Sequence, residues 1–261
     1  MCGRFAQIDS EDKVMSAFNI FQSEIILEPR YNICPSQRIP VIIQQHGLRT
    51  LEMREWGLIP FWAKEPKPMI NARAETAAEK PSFRNALRKR RCLIPASGFF
   101  EWAKEEGQKK PYFIRLKDGT PFAFAGLWEE WTSTEGEIRR TCAILTIVAN
   151  SLMKKIHHRM PVILTPSRGA MWLEFSEVAV SSEKLLRPFP ADKMEAWRVS
   201  QKVNAPSFDN PDCLSRLEKD DTAEKNHEPP AVRASNLVPS YLAQVRAGFH
   251  DNSTRTIMVT T

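Results

Sequence analysis

Four positions join reactive side chains to unusual neighbours: Cys2, Asn71, Glu101 and His157. Cys2 follows Met1, and a small residue in that position usually leads to removal of the methionine. A chain beginning with cysteine carries an α-amine and a thiol on adjacent carbons. The α-amine has a pKa near ~7.8, against ~10.4 for lysine, so its neutral fraction at pH 7 is roughly 400-fold larger. A neutral amine adds to an aldehyde to give a Schiff base. The neighbouring thiol can then close on the imine carbon, giving a five-membered thiazolidine. The competing reading makes Cys2 a buried small hydrophobe, and Met-Cys alone favours that reading.

The other three are polar groups among apolar or aromatic neighbours. Asn71 interrupts a Met-Ile-Asn-Ala run, and Glu101 lies between Phe100 and Trp102. A carboxylate in that setting is either exposed on a strand or held in an apolar wall that raises its pKa. His157, in Ile156-His-His-Arg-Met-Pro161, is the natural acid or base near neutral pH. Each also has a structural reading: Asn71 fixing a turn, Glu101 pairing with an arginine, His157 satisfied in the core.

The elements that must position these residues are mostly strands. A capping serine and early acids predict a first helix from about Ser10. Ile39–Gln44 and Leu48–Trp56 flank His46-Gly47 and read as a hairpin. Tyr112–Leu116 and Phe122–Trp128 flank Asp118-Gly119 and read as another. Glu75–Arg90 reads as helical in part, interrupted by Pro81. Thr141–Val148 and Pro161–Leu164 read as strands, Pro166–Phe175 and Ser181–Leu186 as short helices. A β-rich core with peripheral helices is an α+β class.

Composition bounds the rest. The 261 residues are 42% hydrophobic and 26% charged, enough for one large domain or two small ones. No run approaches the ~20 apolar residues of a membrane span, and the N-terminus lacks the apolar stretch of a secretory signal. The five cysteines, at 2, 34, 92, 142 and 213, form no CxxC pair, which argues against a zinc site and a disulfide scaffold. They read as reduced cytosolic thiols. The net charge is +6, of which +5 falls in residues 1–91. Its densest piece is Arg84, Arg88, Lys89, Arg90 and Arg91, either a solvated helix face or a phosphate-facing patch. From Ser215 the chain is charged and poor in apolar residues, and Ser215–Thr261 reads as a mostly disordered tail with a short helix at Ser240–Ala247.

Further segments complete a set: Met1–Phe5, Arg30-Tyr-Asn-Ile-Cys-Pro-Ser-Gln37, Trp56–Trp62, Ile70–Thr76, Cys92–Trp102, Pro111–Ile114 and Ile156–Leu164. With these the chain resembles the SOS response-associated peptidase (SRAP) family over residues 1–214. The resemblance implies a single domain with a curved, mostly antiparallel, barrel-like β core and peripheral helices. It implies covalent trapping of abasic sites in single-stranded DNA, as a thiazolidine on Cys2, in the DNA damage response. Asn71 would orient the adduct, Glu101 would position the amine and shuttle protons, and His157 would assist in opening the sugar and in the Schiff-base steps. Arg4, Arg73 and Arg159 would hold phosphates. Phe61, Trp62 and Trp102 would stack on bases, and Pro35 would line the strand path. His158 and Cys34 are given no catalytic role. The resemblance implies no cofactor or metal, and a cytoplasmic, bacterial-type monomer that joins the nucleoid at damage and has no membrane partner. Two alternatives stay open: an N-terminal-nucleophile cysteine peptidase or autoprotease, and a non-covalent module for single strands or junctions.

Overall fold

The computed structural model describes residues 2–174 and 185–217. Of the expected tail Ser215–Thr261, Ser215–Leu217 are described, with Leu217 N–H donating to Arg198 O; the rest of it, its helix at 240–247 and most of the helix expected at 181–186 lie outside the described residues.

Among the described residues, fourteen strands form two sheets. Arg38–Gln45 (β4) and Leu48–Trp56 (β5) pair antiparallel across His46 and Gly47, both at positive φ, as the sequence predicts. Arg91–Ala96 (β7) pairs with β4 on one side and with Phe122–Thr132 (β10) on the other. Ile138–Val148 (β11) pairs antiparallel with β10 and parallel with β5, at Thr141–Glu55 and Cys142–Trp56. The pairing therefore returns to its start and closes a five-stranded barrel, which leaves those strands without free edges. Short strands extend it: Gln22–Ser23 (β2) beside β5, Asn71–Arg73 (β6) and Arg159–Pro161 (β12) beside β11, and Ile163–Leu164 (β13) beside β10.

The second sheet has the order β14-β9-β8-β1-β3, made of Met194–Arg198, Gln108–Leu116, Gly98–Glu105, Phe5–Gln7 and Arg30–Ile33. Its two faces are both covered. Phe5 and Phe99 point to the barrel, where Phe5 meets Trp56 and Phe124 edge-on and Phe99 meets Phe124. Ala6, Phe100 and Phe113 point the other way and bury Val199, Val203 and Cys213 of a C-terminal strap. Alternation of side chains along β8 thus sends Glu101 to the barrel side and Trp102 to the strap side. The close approach of β8 to β9 requires glycine at 98, where a Cβ would stand 2.1 Å from the Phe113 ring.

Among the described residues, three α-helices lie outside the sheets: Glu11–Phe18 (α1), capped by Ser10, Arg84–Lys89 (α2) and Pro166–Leu173 (α3). Glu75–Arg90 is helical in part, as expected, its α-helix being the six residues of α2 after Pro81. Two sequence expectations need correction. Asp118-Gly119 does not close a hairpin, because β9 pairs with β8 through Glu106-Gly107 while β10 joins the barrel; the turn is a crossing between sheets. Pro161–Leu164 is split between β12 and β13, with Val162 donating to Leu145 O and accepting from Ala125 N–H.

Candidate active site

Cys2 sits just before β1, with no exposed surface. Its backbone carbonyl accepts a 2.9 Å hydrogen bond from Asn71 Nδ2. Burial pushes the Cys2 thiol well above its ordinary pKa, and the Glu101 carboxylate adds to the shift. The thiol is therefore neutral at physiological pH. Asn71 stands at the start of β6, placed by the parallel register Ile144–Asn71 with β11. Its Oδ1 is buried with no hydrogen-bond partner among the described residues. An acceptor left open beside Cys2 can take a proton donor from a bound molecule or an amine.

Glu101 comes from β8 and is 3% exposed. Phe100 N–H donates to Arg4 O at 2.9 Å, which brings β8 alongside the chain that leads to Cys2. His157 Nδ1 lies 3.9 Å from Glu101 Oε1. The histidine sits on a turn between the short 3₁₀ helix Met153–Lys155 and β12, where its N–H donates to Met153 O at 2.7 Å. Its Nδ1 accepts from the Arg159 N–H at 3.0 Å. The same Nδ1 lies 3.2 Å from Arg159 O, so the turn holds this ring nitrogen from both backbone groups of Arg159. Asn71, Glu101 and His157, distant in sequence, thus converge near Cys2, from β6, β8 and the turn before β12.

The three arginines expected to hold phosphates occupy different settings. Arg159 is 8% exposed; its guanidinium binds both oxygens of Glu75 at 2.7 and 2.8 Å and Thr146 O at 2.6 Å. That pairing holds the Glu75 carboxyl below its usual pKa and ties β12, with the His157 turn, to β11. Arg4 donates to Asn32 Oδ1 at 2.8 Å and Val203 O at 2.6 Å, and its guanidinium lies 5.9 Å from the Trp102 ring centre. Arg73 is exposed, and its side chain makes no hydrogen bond or ion pair among the described residues. It lies two residues along β6 from Asn71, on the same face of the strand.

The aromatic candidates also separate. Trp102 is partly buried and donates from Nε1 to Asn204 Oδ1 at 2.8 Å. Phe61 and Trp62 are half exposed and line a groove of about 540 Å³ with Pro81, Arg84, Asn85 and Arg88. Pro35 is half-buried in the turn after β3, where Gln37 Oε1 accepts from Cys34 N–H and Arg30.

Sequence reasoning missed Glu75, Asn32 and Asp209. Asn32 Nδ2 reaches three strap carbonyls, of Val203, Ala205 and Phe208, and Asp209 Oδ1 accepts from the Tyr31 and Asn32 N–H groups. An asparagine between Tyr31 and Ile33 in a strand was the available signal.

A small barrel flanked by a second sheet, with an asparagine, glutamate and histidine from distant segments gathered near a buried cysteine, defines the class of protein. The family model described as SOS response associated peptidase (SRAP) matches residues 1–206, and the chain belongs to that family. It is 45% identical over 221 residues to the abasic site processing protein YoqW of Bacillus subtilis, covering 82% of this chain and 99% of that one. To YedK of Escherichia coli, also an abasic site processing protein, it is 33% identical over 219 residues, covering 78% and 94%. A crystal structure of a Bacteroides thetaiotaomicron protein matches with a TM-score of 0.75 and 32% identity, over 83% of this chain and all of that one.

Proposed function

We propose that this protein processes abasic sites by capturing them covalently in single-stranded DNA, through the amine and thiol of Cys2 once Met1 is removed. The observation that carries the reading is the pocket: Cys2 buried and held at its carbonyl by Asn71, with Glu101 and His157 converging nearby. The names of the relatives support the substrate.

The chemistry balances without a cofactor. Glu101 holds or accepts a proton so that the amine is neutral when it adds to the ring-opened sugar aldehyde. The hemiaminal loses water, with His157 supplying a proton to the departing oxygen. The thiol sulfur then adds to the imine carbon, and the thiol proton passes to the nitrogen. One water is released overall. Asn71 Oδ1 accepts from the adduct nitrogen. Arg73, and Arg4 where Trp102 and the strap leave it access, hold phosphates beside the lesion. Arg159 acts through Glu75 and the His157 turn. Phe61 and Trp62 offer a stacking surface that no base sequence restricts.

A cysteine peptidase needs a thiol–imidazole pair. Here the thiol is neutral and His157 faces Glu101, so the arrangement favours aldehyde capture over amide cleavage.

The test mixes the protein with a single strand carrying one abasic site, and with the undamaged strand. A heat-stable adduct weighing one water less than its parts, resistant to borohydride and specific to the abasic strand, is expected. An adduct that persists in Cys2→Ala, or peptide cleavage without adduct, overturns the reading.

A further inference from the structure

His158 lies outside the set of residues given a chemical role above, yet its ring lies against that of His157. The ring centres are 4.3 Å apart and the planes 33° from parallel. The backbone on both sides is pinned: His157 N–H donates to Met153 O, and His158 O accepts from Ala149 N–H at 3.1 Å. His157 Nδ1 is fixed by the Arg159 N–H. These contacts set where the His157 ring begins, and the His158 ring lies against it. His158 itself is exposed.

We infer that His158 is a positioning residue for His157, its stacked ring fixing the plane of the imidazole beside Glu101. The inference rests on the role given to His157 in aldehyde capture.

The stack carries a built-in limit. Two imidazolium rings at this separation repel, so it is stable with at most one proton. The groups facing the pair are Glu101 from β8 and the Arg159 guanidinium from β12 with its partner Glu75. A charge on His157 pushes His158 below the ordinary histidine range, and Arg159 pushes the same way. The second proton therefore arrives only under more acidic conditions than a free histidine needs, and the stack persists through neutral pH.

The experiment compares wild type, His158→Ala and His158→Phe. Phenylalanine keeps a flat ring that cannot take a proton. Adduct formation with the abasic strand is followed from pH 5 to 8, and the His157 ring signals are recorded by NMR without DNA. His158→Ala should slow the reaction about 3- to 10-fold at pH 7.5 through loss of alignment. His158→Phe should restore it to within about twofold and flatten the acid-side decline of the wild type. An alanine variant as fast as wild type at every pH, or a phenylalanine variant as slow as alanine, overturns the inference. Absence of any wild-type adduct defeats the proposed function instead. In that case His157 signals unchanged by His158→Ala still overturn the positioning role, and signals shifted in alanine but native in phenylalanine support it.

Discussion

The pocket around Cys2 and the groove of Phe61 and Trp62 are made by opposite means. In the pocket, polar groups are held by segments far away in sequence: Asn71 on the Cys2 carbonyl, Glu75 on Arg159, the strap on Arg4. In the groove, two half-exposed aromatics stand over a six-residue helix rich in arginine and lysine. The pocket gains orientation from burial and loses tolerance, because each removed group leaves a buried partner unsatisfied. The groove gains contact area from flat rings beside basic side chains, and its contributions should be small and nearly additive. The proposed function thus assigns chemistry to the rigid part and affinity to the exposed part.

That division is open to attack at several places. Cys2→Ala should abolish the heat-stable adduct, a loss of at least ~100-fold, while strand binding persists; joint loss of both would erase the division. Glu101→Gln should slow adduct formation by about 10- to 100-fold and leave affinity within a factor of about two, as filter binding and single-turnover gels would show. The thiol offers a third check. Its raised pKa means that it keeps its proton to higher pH in the folded chain, so the thiolate is scarce below that point. At pH 8, folded Cys2 should alkylate at least ~10-fold more slowly than in the urea-unfolded chain, with the gap narrowing as pH rises past the free-thiol value near ~8.5. Peptide mapping separates it from Cys92, which burial pushes up to about 12. In the groove, Phe61→Ala and Trp62→Ala should each weaken strand binding about fivefold, the lower end of base stacking, with the rate at saturating DNA unaltered. Arg73→Ala should be mildest, about threefold, and should lower the salt slope by about one.

Cys2 stood out for its place after Met1, and Asn71, Glu101 and His157 because each is polar in an apolar or aromatic setting. Each also had a structural reading, and the ordered family segments were what joined them; the fold brings the three near Cys2. The hairpin at His46-Gly47 and the cap at Ser10 were legible because turn and cap chemistry is local. The Asp118-Gly119 turn misled for the same reason: a turn signal says that the chain bends, not which strands then pair. The parallel closure of β5 on β11 left no mark, because register between strands 86 residues apart is decided by packing. The arginines were equivalent in sequence and differ in the fold, since Glu75, the partner that occupies Arg159, is recognised only through the strands that bring them together.

The strap has a consequence for the order of events during synthesis. Arg4 waits for Val203, which is 199 residues further along, and Asn32 waits for Phe208. Contacts of such sequence separation form late and slowly. A ribosome adding about 5–20 residues per second needs ten seconds or more to cover that span. Throughout that interval Cys2 has left the ribosome while Glu101, His157 and the strap have not all followed. On the proposed function, the reagent at Cys2 would be chemically complete before the contacts that give it selectivity, and small cellular aldehydes would meet it first in the nascent chain.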